Sequence, residues 1–295
     1  MTVAMKLALI GEGIAKSQSP DLHRRLGSLV GLDTQYDLVD SLGINGFDFP
    51  ATVARLQAEG YRGSNVTFPF KEAARNLADT LSEGVQRVGS SNTLIFEGGK
   101  IHAENTDYSG FISAYRRQFA NRPAGRVLLV GAGGVGRAVA CALGALGVTS
   151  IGLVERDATR GEALSLDLNR QGINTETLSA SEAERRMASF DGIVNCTPVG
   201  HINHPGCPIK TDHVHDQQWV FDAVYIPART ELLIAAEECG AATLSGVDLF
   251  VFQGIDAFRF FAGSQATTAA IDAQVSSVRD HYFRQLVLNE SPRAS

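Results

Sequence analysis

Strand-like and helix-like runs alternate along nearly all of the 295 residues, which predicts an α/β fold divided into two domains. Three observations carry that expectation. Short apolar runs such as KLALIG, TQYDLVD, SIGLV and WVFDAVY are separated by segments with helical spacing. A complete strand–loop–helix–strand unit, VLLVGAGGVGRAVACALGALGVTSIGLVERDATR, begins at Val127 and ends at Arg160. A polar stretch, ANRPAGR, stands just before that unit and reads as a domain boundary. With 44% of its residues hydrophobic, the chain has ample material for two cores.

Each element follows from its own signals. KLALIG is a first strand, and Pro20 marks the start of a helix in PDLHRRLGSLVGL. TQYDLVD is a second strand, Phe49 to Gly60 a helix, and RGSNVTF a strand closed by Pro69. KEAARNLADTL reads as a helix, and SSNTLIFEGGKIHAENTD as a hairpin about Gly98 and Gly99. YSGFISAYRRQF is again helical. Beyond Arg160, GEALSLDLNRQG is a helix, and DGIVNCTP and WVFDAVY are strands. TELLIAAEECG is a helix capped by Gly240, and ATLSG a short strand. LFVFQGIDAFRFFAG is apolar enough to be a buried helix, and one more helix followed by a polar tail completes the chain. The segment after the second domain is expected to pack back on the first. The domains are therefore set at residues 1–111, completed by 248–295, and residues 112–247.

The glycines of the central unit have a chemical reading. Gly131, Gly133 and Gly136 are spaced G-x-G-x-x-G after a strand and at the head of a helix. The first suits a tight turn, the second lets backbone approach a pyrophosphate, and the third lets helix pack on strand. The loop Gly131, Ala132, Gly133, Gly134, Val135, Gly136 then offers a helix N-terminus to an anion. Glu155 ends the second strand, where an acid accepts hydrogen bonds from the adenosine ribose. A Rossmann-type dinucleotide domain is expected.

Composition excludes some functions. The net charge is -6 with no basic tract, so there is no electrostatic footprint for nucleic acid. No apolar run approaches the ~20 residues of a membrane helix. The N-terminal run breaks at once into Gly and charge and reads as a strand rather than a signal peptide. Cys141, Cys196, Cys207 and Cys239 form no C-x-x-C pair, which suits a reducing cytoplasm. His201, His204, Cys207, His213 and His215 have spacings that zinc uses. They fall in a Pro/Gly-rich loop, however, and no metal is expected.

Three polar clusters lie in the first half. Ser17 and Ser19 both face one way if the backbone there is extended, and otherwise form a turn and helix cap. Asn65 and Thr67 share one face of a strand, and Lys71 opens the next helix, where a cation opposes the helix dipole. Asn92 and then Asn105-Thr106-Asp107 form the third, with Asp107 either a functional acid or the cap of the following helix.

SQSP with His23, GSNVTFPFK, SSNT, NTDYSGF, VGAGGVGRA, VNCTPVG, DAVYIPARTELL and the G-x-x-L-F-x-x-Q run ending at Gln253 occur in order along the chain. Together they resemble the shikimate/quinate dehydrogenase family over nearly the whole length. The resemblance implies two α/β domains around a cleft and a small polyhydroxylated ring acid as substrate. It implies Lys71 and Asp107 as the catalytic pair, and Ser17, Ser19, Asn65, Thr67 and Asn92 as substrate contacts. Tyr225 and Gln253 would reach the substrate from the cofactor side. Thr197, Val224 and Gly246 would lie by the cofactor. The many hydroxyl and amide groups suit such a ring, because a site built to bond OH groups rejects analogues lacking them.

Several residues depart from the family's usual pattern: GEGIAK before the serines, Ser90 and Ser91 before Asn92, Tyr108 after NTD, and Leu249. They look like those of a side branch and leave shikimate, quinate and an amino-substituted relative all open as substrates. NADP-using members tend to read Asn-Arg-Thr-x-x-Arg where this chain reads Glu155, Arg156, Asp157, Ala158, Thr159, Arg160. Acids repel a 2′-phosphate and pair with a free 2′-hydroxyl, so NAD is expected to be favoured. NADP use through Arg156 and Arg160 is the alternative. A ligand sensor that kept the fold is the alternative of another class, against which Lys71 and Asp107 stand. A monomer or homodimer is expected.

Overall fold

The computed structural model describes residues 4–288, and within them the chain forms two compact units. The polar tail read from the sequence falls mostly outside the described residues.

The first unit comprises the chain up to Gly110 together with Val251–Val278. Its elements begin with β1 (Met5–Gly11), α1 (Ser19–Leu29), β2 (Thr34–Asp40), α2 (Phe49–Ala58), β3 (Gly63–Val66) and α3 (Lys71–Leu77). They continue with β4 (Thr80–Leu81), α4 (Glu83–Val88), β5 (Thr93–Glu97), β6 (Lys100–Glu104) and the start of α5 (Thr106–Phe119). The sheet order is β2-β1-β3-β5-β6-β4, parallel from β2 to β3 and antiparallel through β5 and β6. β1 is buried at almost every position, as a central parallel strand must be, while β2 at the edge exposes several of its residues. Ala8, Ile10, Val66, Leu94, Phe96 and Ala103 of the sheet pack on Phe49, Val53 and Leu56 of α2.

The second unit comprises Phe111–Phe250 and the chain from Arg279. It contains β7 (Arg126–Val130), α6 (Gly134–Ala145), β8 (Ser150–Val154), α7 (Ala158–Arg170), β9 (Thr175–Thr177) and α8 (Ala180–Arg186). After these come β10 (Gly192–Asn195), β11 (Trp219–Asp222), α9 (Glu231–Glu238), β12 (Ala242–Leu244) and the start of α10 (Gly246–Ala262). The helix α11 (Thr268–Asp272) falls in the first unit, and α12 (Val275–Leu288) starts in the first and continues in the second. Six parallel strands run in the order β12-β11-β10-β7-β8-β9. This is the doubly wound order of a Rossmann-type domain, and its direction reverses between β7 and β10, where the loops beyond the strand ends leave a crevice for ligands. The four strand residues Leu128, Val130, Ile193 and Val220 pack with Met187, Phe190, Leu232 and Leu233.

The structure differs from the sequence reading at several ends. The helix opened by Lys71 stops at Leu77, because Thr80 and Leu81 pair with His102 and Ala103 as a two-residue strand. The strand expected through Phe68 ends at Val66, so Thr67 lies beyond it and donates its N–H to the Ile10 carbonyl. The last helices are two, not one. The chain from Arg279 groups with the second unit, since Arg279 pairs with Asp248 and Tyr282 meets the Phe250 ring edge-on at 5.3 Å. Among the described residues no helix is long and apolar enough to cross a membrane.

Candidate active site

Lys71 is the first residue of α3 and Asp107 the second of α5, and the two side chains meet with Nζ 2.6 Å from Oδ2. The N-cap alternative for Asp107 fails: Asn105 accepts from the Tyr108 N–H at 3.0 Å, which leaves the Asp107 carboxylate free for Lys71. The Asn105 amide is itself tied to the Ser90 carbonyl. Lys71 is seated by its own carbonyl, which accepts from the Ser91 N–H at 2.9 Å. Both side chains remain partly open to solvent, at 21% and 12% exposure, so a ligand has access to them.

Asn92 is locked from behind. Its Oδ1 accepts from Thr93 Oγ1, from the Thr106 N–H at 2.7 Å and from Thr106 Oγ1, which turns the amide nitrogen away from these donors. Asn65 on β3 accepts from the Tyr36 phenol at 2.8 Å and donates to Thr93 Oγ1 at 3.0 Å. The Tyr36 phenol also bonds the Ser19 hydroxyl. Ser17 and Ser19 are not in extended backbone, since Ser19 begins α1 and its N–H donates to Ser17 Oγ. The result is one connected polar network from Ser19 through Tyr36, Asn65, Thr93 and Asn92 to Thr106, next to Asp107.

His23 completes the floor of this network. It is buried, stacked on Tyr36 at 4.8 Å, and flanked by Phe258 and Phe261. Burial pulls its imidazole down to about 3, against a hydrogen bond with Asn65 that favours the charge, so the ring is neutral near pH 7. Sequence reasoning quoted His23 without a role and missed Tyr36 altogether; its partners lie 17 and 29 residues away in sequence, and only folding brings them together. Gln253 lies on the part of α10 that belongs to this unit.

The remaining candidates lie in the second unit. Gly131 has φ +101 and Gly136 takes the close approach, since a Cβ on Gly136 would stand 2.0 Å from the Gly131 carbonyl oxygen. A Cβ on Gly133 or Gly134 would meet nothing within 4 Å, so the loop faces open space at the head of α6, as a pyrophosphate requires. These residues fit a dinucleotide. Glu155 accepts from the Ala132 N–H at 2.7 Å and the Asp157 N–H at 3.0 Å. Burial works to raise its carboxyl, but those amides and the Arg160 guanidinium hold it below the usual range, so it stays ionised. Asp157 serves as N-cap of α7 and pairs with Arg160 at 3.5 Å, while Arg156 is exposed.

Val135 lies in the first turn of α6, where the glycine loop enters the helix. Thr197 donates to Asn195 Oδ1, and the Val224 N–H donates to Asp222. Gly246 lies so close to the Ala223 and Val224 carbonyls that a Cβ would stand 2.5 Å from each. Tyr225 belongs to the second unit, where it stacks on Phe250 at 5.4 Å. His201 and His204 face each other across an isolated bridge, and among the described residues no three His, Cys, Asp or Glu groups gather as metal ligands.

Comparison with known proteins agrees with this architecture. Residues 9–94 match the family model described as shikimate dehydrogenase substrate binding domain, and residues 114–203 match shikimate / quinate 5-dehydrogenase. The chain is 36% identical to a shikimate dehydrogenase (NADP(+)) of Streptomyces avermitilis, over 92% of this chain and 95% of that one. It is 35% identical to a quinate/shikimate dehydrogenase (NAD(+)) of Corynebacterium glutamicum, over 96% and 99%. The structure of quinate dehydrogenase from Corynebacterium glutamicum in complex with NAD superposes with a TM-score of 0.87 at 34% identity, covering 96% of this chain and 99% of that one. Likeness of this extent, in sequence and in fold alike, places the chain in the shikimate/quinate dehydrogenase family of oxidoreductases.

Proposed function

We propose that this protein interconverts shikimate and 3-dehydroshikimate, or the related quinate pair, with NAD as the favoured cofactor. The observation that carries the reading is the 2.6 Å contact between Lys71 and Asp107, partly open and bordered by locked amides. Oxidising a secondary alcohol moves a hydride and a proton. A bound nicotinamide accepts the hydride. The proton falls to the protein. In the reducing direction the Lys71 ammonium donates to the ketone oxygen as charge develops there. In the oxidising direction the hydroxyl proton returns to the pair, with Asp107 holding Nζ in place. Ser17, Ser19, Asn65, Thr67, Asn92, Tyr225 and Gln253 are the proposed contacts of the ring hydroxyls and carboxylate.

The NAD preference rests on Glu155. An ionised carboxylate at the end of β8 suits a free ribose 2′-hydroxyl and opposes a 2′-phosphate. The free cysteines agree with a cytoplasmic protein.

The test is absorbance at the NAD(P)H band with shikimate and quinate, each against NAD+ and NADP+. Turnover is expected with NAD+ and one or both acids. Turnover with NADP+ alone would overturn the reading of Glu155, and silence in all four would overturn the substrate assignment.

A further inference from the structure

Asp222 is a buried carboxylate that the proposed chemistry does not use. It ends β11 and is 0% exposed. Its Oδ1 accepts from Asn195 Nδ2 at 2.9 Å and from the Val224 N–H at 3.0 Å, and its Oδ2 accepts from the Thr230 hydroxyl at 2.6 Å. Among the described residues no cation pairs with it, and burial pushes its carboxyl up to about 6 against these three hydrogen bonds. A buried charge without a counter-ion is costly, so a position that keeps one is held for its geometry.

That geometry links two loops. Asn195 donates to Asp222 and to the Val199 carbonyl, while its Oδ1 accepts both the N–H and the hydroxyl of Thr197. The orientation of the Asn195 amide is thereby fixed: a flip would put its donors against those of Thr197. On the other side, Asp222 holds the Val224 N–H, and the Val224 carbonyl is one of the two that Gly246 approaches, with that of Ala223. The third bond ties Thr230, the N-cap of α9. One carboxylate thus sets the turn after β10, the backbone after β11 and the start of α9.

We propose that Asp222 is a positioning residue for the nicotinamide half of the cofactor, acting through Asn195 on Thr197 and directly on the Val224 backbone. The proposal rests on the functional reading above and on the family resemblance that puts Thr197 and Val224 by the cofactor. Both follow strands of the half-sheet β10-β11-β12, across the switch point from the glycine loop and Glu155, which is the half of a dinucleotide fold left for the nicotinamide. The adenosine half, by contrast, depends on the glycine loop and Glu155, which Asp222 does not touch. An Asn at this position keeps the size but brings N–H groups into a ring of donors.

The experiment is titration of the full chain and its Asp222→Asn variant with NADH and separately with ADP, followed by KM for NAD+ and for shikimate. NADH should bind the variant roughly five- to twentyfold more weakly, with ADP affinity and the shikimate KM within about twofold. Thr230→Val keeps the carboxylate and removes one donor, so it should shift NADH in the same direction by less. This second variant carries the test if Asp222→Asn does not fold. Equal weakening of NADH and ADP would show that Asp222 merely stabilises the unit, and unchanged NADH binding would show that it positions nothing. Either result overturns the proposal. Failure of the unmodified protein to bind NADH at all would instead overturn the functional reading beneath it.

Discussion

The two candidate regions are built from different materials. Around Lys71 and Asp107 the polar groups are side chains, each fixed by another residue: Asn92 by Thr106, Asn65 by Tyr36, and Ser19 by Tyr36. Around Gly131–Gly136 the polar surface is backbone, and the decisive groups are those that lack a side chain. The difference teaches where each region is vulnerable. Removing a side chain in the first should change chemistry or binding and spare the fold. Adding one at Gly131 or Gly136 in the second should disturb the fold and the cofactor together.

The largest expected contrast is in pH. Each unit buries a titratable group that has no counter-ion among the described residues, and burial moves the two in opposite directions. His23 falls from 6.5 to about 3 through burial, so the unfolded chain binds the extra proton. Its contribution is complete above about 6.5 and is lost as pH falls toward 3. Asp222 rises from 3.8 to about 6 through burial, so the folded chain binds the extra proton. Its contribution is complete below about 3.8 and is lost as pH rises through 6. A tenfold change in proton affinity is worth about 1.4 kcal/mol, so the full effect is on the order of 5 kcal/mol for His23 and about 3 kcal/mol for Asp222. Urea midpoints from roughly pH 4 to 8 should show His23→Gln gaining on the parent at the acid end and Asp222→Asn gaining at the neutral end. Parallel curves for either variant would remove that half of the contrast.

A smaller effect sharpens the backbone side. Gly136→Ala places a methyl 2.0 Å from the Gly131 carbonyl oxygen, and the backbone must move to admit it. A loss of about 2 kcal/mol of stability is expected, with NADH binding weakened in parallel, by chemical denaturation and fluorescence titration. Stability and NADH binding equal to the parent's would mean that the loop is looser than its contacts show.

The smallest tests the side-chain side. Tyr36→Phe deletes one oxygen from a residue that is 1% exposed, and with it the bonds to Ser19 and Asn65. The KM for shikimate should rise by roughly three- to tenfold, about 1 kcal/mol, with the KM for NAD+ unchanged. A matching rise in both would assign Tyr36 to general stability.

The same division decided what was legible in the sequence. The glycine loop could be read because strand, turn, helix and acid are contiguous, and the structure gives Gly131 the positive φ of a tight turn and Gly136 the close approach that its spacing implies. The sequence motifs around Lys71 and Asp107 carried the family resemblance, but the residues that lock the site were hidden. Tyr36 sits in an ordinary strand pattern and meets Asn65 only through the sheet. Two- and three-residue strands such as Thr80–Leu81 and Thr175–Thr177 are too short to show a period, so they were not foreseen. Asp107 was open between acid and cap, because the choice depends on which oxygen the Tyr108 N–H meets, and that oxygen belongs to Asn105. Asn195, Asp222 and Thr230 stood inside quoted motifs, yet their common hydrogen-bond node needs three strand and helix ends to converge.

The central claim is that Lys71 with Asp107 handles the substrate proton. The most direct measurement is kcat for Lys71→Ala beside calorimetric binding of shikimate to the same variant. The account predicts a fall in kcat of roughly 10²–10⁴-fold with shikimate still bound within about tenfold of the parent. Full turnover in the variant, or loss of binding with kcat preserved, would contradict it.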